Sequence, residues 1–474
     1  MKLYKNSEID QFSIEETWNL YRKYVNNSQV DLISKFGFGN DLAVRADKNF
    51  IFTKSGKKIY DFTGGIGVLN HGHNHKRILA IREWFQKNKK MEVHKNFFSP
   101  YVAALSSNIA NLLPSDLDIT YFSNSGSDAN EGALKLAYKY HEGKRDYVLH
   151  TNISFHGKKI ITSNITGSKE TNYFKFQQLA KSDDFQFNNF DSLEKKVNDL
   201  KKNGTSNIYA IILEPFSASS LLELSEEFLR KTRKLCDQEN IVLIFDEIYS
   251  GWAKTDNLFY FMKFKDLIPD ILTSGKSLGG GKASISAYTC RKKFFKNAYD
   301  NLRDATLHSS TFNGLGEETV TAIEAINIII EENFIKKSKD IFELMNFGLL
   351  KLQKKFPNII KEVRGSGSLN GVIINTDFSD KYLQPILSLI PVEFAKDKYA
   401  IKKIIISSYI SELYDKHNIL TFYGSNIDLP LKISCPIITE QESLIYFLNS
   451  FEKVLEKGTY AVLMNFIKRN IFKS

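Results

Sequence analysis

The sequence predicts an α/β protein with a mostly parallel sheet, and three observations carry that prediction. Ile241–Phe245 is an unbroken apolar run that reads as a strand buried on both faces, and it ends in two carboxylates, Asp246 and Glu247. Asn207–Leu213 is a second buried strand, closed by Glu214-Pro215. Between positions 119 and 138 an apolar stretch, a glycine turn and the helical spacing of Ala133, Leu134, Ala137 and Tyr138 follow in the order strand, turn, helix.

At 474 residues the chain is long enough for two lobes. The net charge of +10 comes from 64 basic and 54 acidic residues, but the lysines are dispersed, so the excess reads as solubility and not as a nucleic-acid surface. Cys236, Cys290 and Cys435 are far apart and odd in number, which gives neither a zinc pattern nor a disulfide framework and fits a reducing cytoplasm. The N-terminus carries acids where a signal peptide needs an apolar core, and no apolar run approaches the length of about 18 residues that spans a bilayer. A soluble, cytoplasmic protein without a membrane partner is expected.

Taken in order, Ile14, Trp18, Tyr21 and Val25 predict one amphipathic helix from Ser13 to about Ser34, entered through Ser13-Ile14-Glu15-Glu16 and packed on a neighbour. Short extended segments around Leu42–Val44, Asn49–Thr53 and Ile59–Phe62, with a turn at Ser55-Gly56-Lys57, form a hairpin region. His71, His73 and His75 alternate after a glycine-rich run. They read as surface or cap groups at a helix start and not as a metal comb, because no carboxylate pair completes a site.

At Ser125-Gly126-Ser127, backbone N–H groups at a helix start and two hydroxyls would form an anion cradle, where the helix dipole contributes about 0.3 to 2 kcal/mol, or Ser125 or Ser127 caps an ordinary helix. A Walker loop ending in Gly275-Lys276-Ser277 would need glycine at position 270, which is Asp270, and a dinucleotide fingerprint from Gly365 fails at Asn370. Tyr147–Leu149 is a strand and residues 170–206 read as a loop and a charged helix. Ser286–Cys290 is a further strand, and a long helix runs from about Glu317 to Glu332. From about residue 333 the pattern changes to helix and strand in two layers. The tail Tyr460–Phe472 reads as an amphipathic helix docked on that lobe.

A carboxylate at the end of a buried strand needs a cation or donors inside the fold, so a cationic partner is expected for Asp246. A second strand, Ile271–Ser274, hands over through Gly275 to Lys276, and a partly desolvated lysine is a nucleophile. Aspartate and lysine on neighbouring strand ends suggest pyridoxal phosphate, with Lys276 as its Schiff base and Asp246 on the ring nitrogen; by themselves they also fit a salt-bridged aspartate and a buried-stem lysine with no cofactor.

These residues resemble the class III (ornithine and omega-amino acid) aminotransferases among the fold type I pyridoxal phosphate enzymes. The family pattern DEVQTGxGRTG, PDI, GKxLGGG reads here Asp246-Glu247-Ile248-Tyr249-Ser250-Gly251, Pro269-Asp270-Ile271 and Gly275-Lys276-Ser277-Leu278-Gly279-Gly280-Gly281. Ser125-Gly126-Ser127-Asp128 is similar to the phosphate loop NSG(T/S)EA, Ser154-Phe155-His156-Gly157 to the aromatic-His-Gly turn, and His308-Ser309-Ser310-Thr311-Phe312-Asn313-Gly314 to H-x-x-T-F-x-G. Val363-Arg364-Gly365-Ser366-Gly367 resembles the family's VRGxG turn, and Leu431-Lys432-Ile433-Ser434-Cys435-Pro436 its LRxxPP segment.

The resemblance implies a seven-stranded, mostly parallel sheet in a large domain over 70–330, with a small α/β domain from 1–69 and 331–474. It implies that Ser125, Gly126, Ser127, Phe155, His156, Glu214, Ile248 and Tyr249 surround the cofactor held by Lys276 and Asp246. Phe155 and Ile248 would lie on opposite ring faces, and Tyr249 near the ring hydroxyl. Ser310 and Thr311 would reach the phosphate of the other subunit in a homodimer. The reaction would move an amino group from an amine donor to a keto or aldehyde acceptor; a racemase or aminomutase would use the same Lys276 and Asp246.

Two departures bear on substrate. Lys432 stands where an arginine anchors an α-carboxylate, and Phe216–Ser220 replaces the glycine-rich, glutamate-bearing loop after Glu214. With Trp252 and Phe216 adding apolar bulk, Lys432 and Glu214 would favour a terminal amine over glutamate.

Overall fold

The computed structural model describes residues 3–92, 95–167, 180–376, 399–424 and 428–470. Its centre is a seven-stranded sheet of β1 (Leu117–Ser123), β2 (Tyr147–Thr151), β3 (Ser182–Phe185), β4 (Ile208–Leu213), β5 (Val242–Asp246), β6 (Ile271–Ser274) and β7 (Ser286–Arg291). Their spatial order is β1-β7-β6-β5-β4-β2-β3. Only β7 runs against its neighbours; the rest are parallel. Every residue of β4, β5 and β6 is buried, because helices cover both faces, and their sequences accordingly show no alternation. Phe245 pairs with Leu213 on one side and Leu272 on the other, so β4, β5 and β6 end at one edge. That edge presents Glu214, Asp246 and Lys276, and the carboxyl ends of parallel strands are where such sheets bind ligands.

β3 departs from the sequence reading, which gave 170–206 only a loop and a helix. It lies at the edge of the sheet with β2 as its one strand neighbour, so its two aspartates reach the rim and no apolar run marks it. Positions 170–179 of that stretch lie outside the described residues.

Two four-stranded sheets flank the centre. One joins Ala43–Asp47, Phe50–Thr53 and Lys58–Asp61 to Ile419–Leu420, and so takes chain from both ends. The other runs Ile360–Ser366, Leu369–Ile374, Leu431–Ser434, Phe422–Tyr423. A separate apolar core, including Phe62, Met345, Ile405, Tyr409, Phe447 and Phe466, lies beneath them. The terminal helix Gly458–Asn470 docks there through Val462, Leu463, Phe466 and Ile467, while Lys457 and Arg469 hold buried Glu412 at 2.7 and 2.5 Å. Ile471 and Phe472 lie outside the described residues. No helix among the described residues is long and apolar enough to cross a membrane.

Two local expectations are corrected. The N-terminal helix is not continuous: Ile14–Tyr21 and Asn27–Lys35 are separated by a wider π turn at Arg22–Asn26. The capping bond from Glu16 N–H to Ser13 Oγ is present at 3.0 Å, yet Val30 is the one buried side chain of the arm. The histidines are not surface groups either. His71 is fully buried and donates from Nε2 to the Ala325 carbonyl at 2.9 Å, and burial lowers its pKa to about 4. His73 turns to Asp61 at 2.9 Å and His75 to Glu332 at 3.6 Å, so the three serve separate partners.

Candidate active site

Strand alternation sends the two carboxylates at the end of β5 to different places. Glu247 is wholly buried and accepts from the Tyr260 and Phe261 N–H groups at 2.6 and 2.8 Å and from Ser250 Oγ at 3.0 Å; it holds the following loop. Asp246 faces the site. Its Oδ2 accepts from His156 Nδ1 and from Asn130 Nδ2, each at 2.7 Å, and its Oδ1 from the Ile248 N–H at 3.0 Å. The cation expected from the sequence is thus met inside the chain by three donors, of which His156 is charged only when protonated.

Lys276 follows the extended Gly275 with φ +45°, a left-handed conformation that turns the chain sharply at the end of β6. Burial of its amine lowers the pKa, while the negative charges of Asp246 and Glu214 act in the opposite sense. Nζ lies 4.6 Å from the centre of the Tyr249 ring.

On the other side of the same edge, helix Gly126–Tyr140 starts with Ser125 as its cap, accepting from the Asp128 N–H at 3.3 Å. Two glycines keep the hollow at this helix start open. A Cβ at Gly126 would stand 2.8 Å from Ile248, and Gly157, at φ +136°, is where a Cβ would run into the Ser127 hydroxyl. Free N–H groups of a long helix, a carboxylate with a spare acceptor position and a buried amine form a donor set suited to a ligand with a phosphate, a basic ring nitrogen and an aldehyde carbon.

Glu214 closes the far side. Its Oε2 accepts from the Phe155 N–H at 2.9 Å, and burial raises its pKa to about 7. Lys432 is 3% exposed on Leu431–Ser434, with Nζ 4.7 Å from the ring centres of both Tyr249 and Phe422. Among the described residues its amine has no carboxylate partner. Burial, reinforced by the positive charges of Lys276 and Lys254, lowers its pKa to about 7 against the pull of Glu214. The Tyr249 hydroxyl donates to Ser434 Oγ at 3.2 Å. Ser310 and Thr311 are exposed, on a loop tied down where the Phe312 carbonyl accepts from Asn124 Nδ2 at 3.1 Å.

The aminotransferase class-III family model matches residues 40–394. The chain belongs to that family. This class-III aminotransferase chain is 24% identical over 468 residues to aminotransferase PigE of Serratia sp. (strain ATCC 39006), covering 94% of this chain and 54% of the relative. It therefore spans about half the length of that curated relative. Ornithine aminotransferase from Toxoplasma gondii superposes with a TM-score of 0.77 at 21% identity, covering 96% of this chain and 99% of that one. A transaminase from the marine bacterium Virgibacillus gives 0.80 at 18% identity, covering 95% and 99%. The fold is fold type I, and the family's cofactor is pyridoxal phosphate.

Two neighbours named for substrate bulk sit elsewhere in this class-III chain. Trp252 is wholly buried in the core against Phe259, its carbonyl accepting from Asn70 Nδ2 at 2.8 Å, so it is core and not pocket wall. Phe216 packs on Tyr260 in a small cluster that backs Tyr249. Sequence reasoning also missed three buried polar residues here. Asn130 and Thr273 support Asp246, as described above and below. Lys254 is wholly buried, donates from Nζ to the Cys435 carbonyl at 3.1 Å, and offers its own carbonyl to Ser338 Oγ at 3.2 Å and to the Ser368 N–H at 2.9 Å. Asn130 carried a signal: it interrupts the buried stripe Ala129, Ala133, Leu134, Ala137 with a polar group that must find partners.

Proposed function

We propose that the protein is a pyridoxal-phosphate-dependent aminotransferase that passes an amino group from an amine, a terminal amine by preference, to a keto acid or aldehyde. The observation that supports it most is the pairing of Lys276 and Asp246 on adjacent strand ends beside a glycine-lined helix start. When bound, the cofactor supplies an electron sink for the bond broken at the substrate carbon. Lys276 would hold it covalently, and its free amine would move the proton at the substrate Cα, a general-base contribution of about 10² to 10⁴. Asp246 would keep the ring nitrogen protonated, the first turn from Gly126 would hold the phosphate, and Phe155 and Ile248 would confine the ring.

The terminal-amine preference rests on Lys432. A lysine flanked by aromatic rings, with a pKa near 7, offers no planar fork and is only partly charged at neutral pH, so an α-carboxylate gains little there. A homodimer is part of the proposal: Phe97, Phe98, Leu302, Leu307 and Phe312 are exposed near Thr311, and Lys95 Nζ, donating to the Asn313 carbonyl at 3.1 Å, joins the two segments. The unpaired, buried Cys236, Cys290 and Cys435 fit a cytoplasmic setting.

Borohydride reduction of the cofactor-loaded protein, then peptide mapping and sedimentation, tests both parts. The adduct is expected on Lys276 in a dimer, and Lys276→Ala should stay folded without covalent cofactor or turnover. An adduct on any other lysine refutes the site, and a fully active monomer refutes the role of Thr311.

A further inference from the structure

We infer that Asn130 is a positioning residue for this reaction, fixing the Asp246 carboxylate in the orientation in which it would meet the ring nitrogen; the inference rests on the pyridoxal phosphate reading above. Asn130 is fully buried one turn into helix Gly126–Tyr140. All of its side-chain capacity in view is used: Nδ2 donates to Asp246 Oδ2 at 2.7 Å and to the His156 carbonyl at 2.9 Å, and Oδ1 accepts from Thr273 Oγ1 at 2.8 Å. A flipped amide would set its oxygen against two acceptors, the Asp246 carboxylate and the His156 carbonyl, whereas the Thr273 hydroxyl suits either atom, so the amide has one orientation. Thr273 itself stands beside Asp246 in the β5–β6 register, and the Glu247 N–H donates to its carbonyl at 3.0 Å.

The consequence for Asp246 is specific. Asn130 and His156 both donate to Oδ2, and the Ile248 N–H takes one position on Oδ1, which leaves the second Oδ1 position as the open one. Three donors hold the carboxylate plane. His156 Nδ1 is only one of the two donors on Oδ2. Asn130 supplies the other, cannot lose its proton, and ties the carboxylate to the helix that starts at the phosphate hollow. One helix thus carries both the start that would hold the phosphate and the residue that holds Asp246.

The test uses cofactor-loaded protein. With wild type, Asn130→Leu, which keeps the shape and removes the bonds, and Thr273→Val, which removes only the far partner, one measures the ¹⁵N shift of labelled cofactor and the pH titration of the visible band. Melting temperature and steady-state kinetics complete the set. Asn130→Leu should move the ring nitrogen toward its unprotonated shift and lower kcat about ten- to a hundred-fold, the worth of a hydrogen bond to a charged group. KM should change far less. Thr273→Val should move the same signals in the same direction by less. A folded, loaded Asn130→Leu with a wild-type nitrogen shift overturns the inference while leaving the cofactor reading intact. If Asn130→Leu does not fold, an unchanged nitrogen in Thr273→Val has the same force. Wild type with no cofactor on Lys276 overturns both.

Discussion

Asp246 and Lys432 are buried charges in one site, provided for in opposite ways. The carboxylate meets three hydrogen-bond donors, one of them fixed by a further bond to Thr273. The amine meets two aromatic rings and two other lysines' fields. A group that serves the same ligand in every turnover is worth fixing in advance, because preorganised partners need no rearrangement when charge develops. A group that meets a succession of substrates is left short of partners, and what enters completes it. On the proposed reading, the difference separates the half of the site that performs the chemistry from the half that chooses what undergoes it.

The largest effect should come from breaking the fixed half. Asp246→Asn is expected to cut kcat by about 10²- to 10⁴-fold with the cofactor still bound, while stability falls by about 3 to 5 kcal/mol at most. Wild-type rates in this variant, measured by single-turnover absorbance, would make Asp246 merely structural.

On the selecting half the effects should be smaller and confined to preference. Lys432→Arg restores a planar fork and should raise kcat/KM for glutamate relative to a terminal amine by about tenfold, the worth of about 1.4 kcal/mol. Efficient glutamate turnover in the wild type, unimproved by arginine, would remove the basis for the terminal-amine preference.

The smallest effect sharpens the same contrast through pH. Lys432 is depressed to about 7, so it is uncharged above that pH and gains its charge as pH falls through it. The ratio of glutamate to terminal-amine kcat/KM should therefore rise as pH falls toward about 7 from above, by no more than tenfold per unit, level off below it, and lie flat in Lys432→Met. Taking the ratio cancels the titration of Lys276, which both substrates share. A flat ratio in the wild type would show that Lys432 does not meet the carboxylate.

What the sequence made legible follows from where burial leaves a mark along the chain. β4, β5 and β6 are sandwiched, so they read as apolar runs whose endings, Glu214, Asp246 and Lys276, stand out against them. β3 has no such mark, since it is an edge strand carrying two aspartates. Asn130 and Lys254 could be seen as polar residues in buried surroundings, but their partners lie 116 and 181 positions away, and no local pattern connects them. Trp252 was misplaced for the complementary reason. Its position after the Asp246 strand says nothing of which way its backbone turns, and φ +58° sends the ring into the core.

The bonds at Lys254 have a mechanical consequence. Its carbonyl is gripped by Ser338, on the helix Phe334–Lys355, and by Ser368, between the strands Ile360–Ser366 and Leu369–Ile374, while its amine grips Cys435. This makes it a pin: one buried residue after β5 is fastened to a helix, a hairpin and a strand of the flanking layer. Lys432 lies on the strand that runs into Cys435, whereas Asp246 and Lys276 stand at strand ends of the central sheet. On the proposed reading, the residue that selects substrate and the residues that handle the proton thus belong to different layers, riveted together at Lys254.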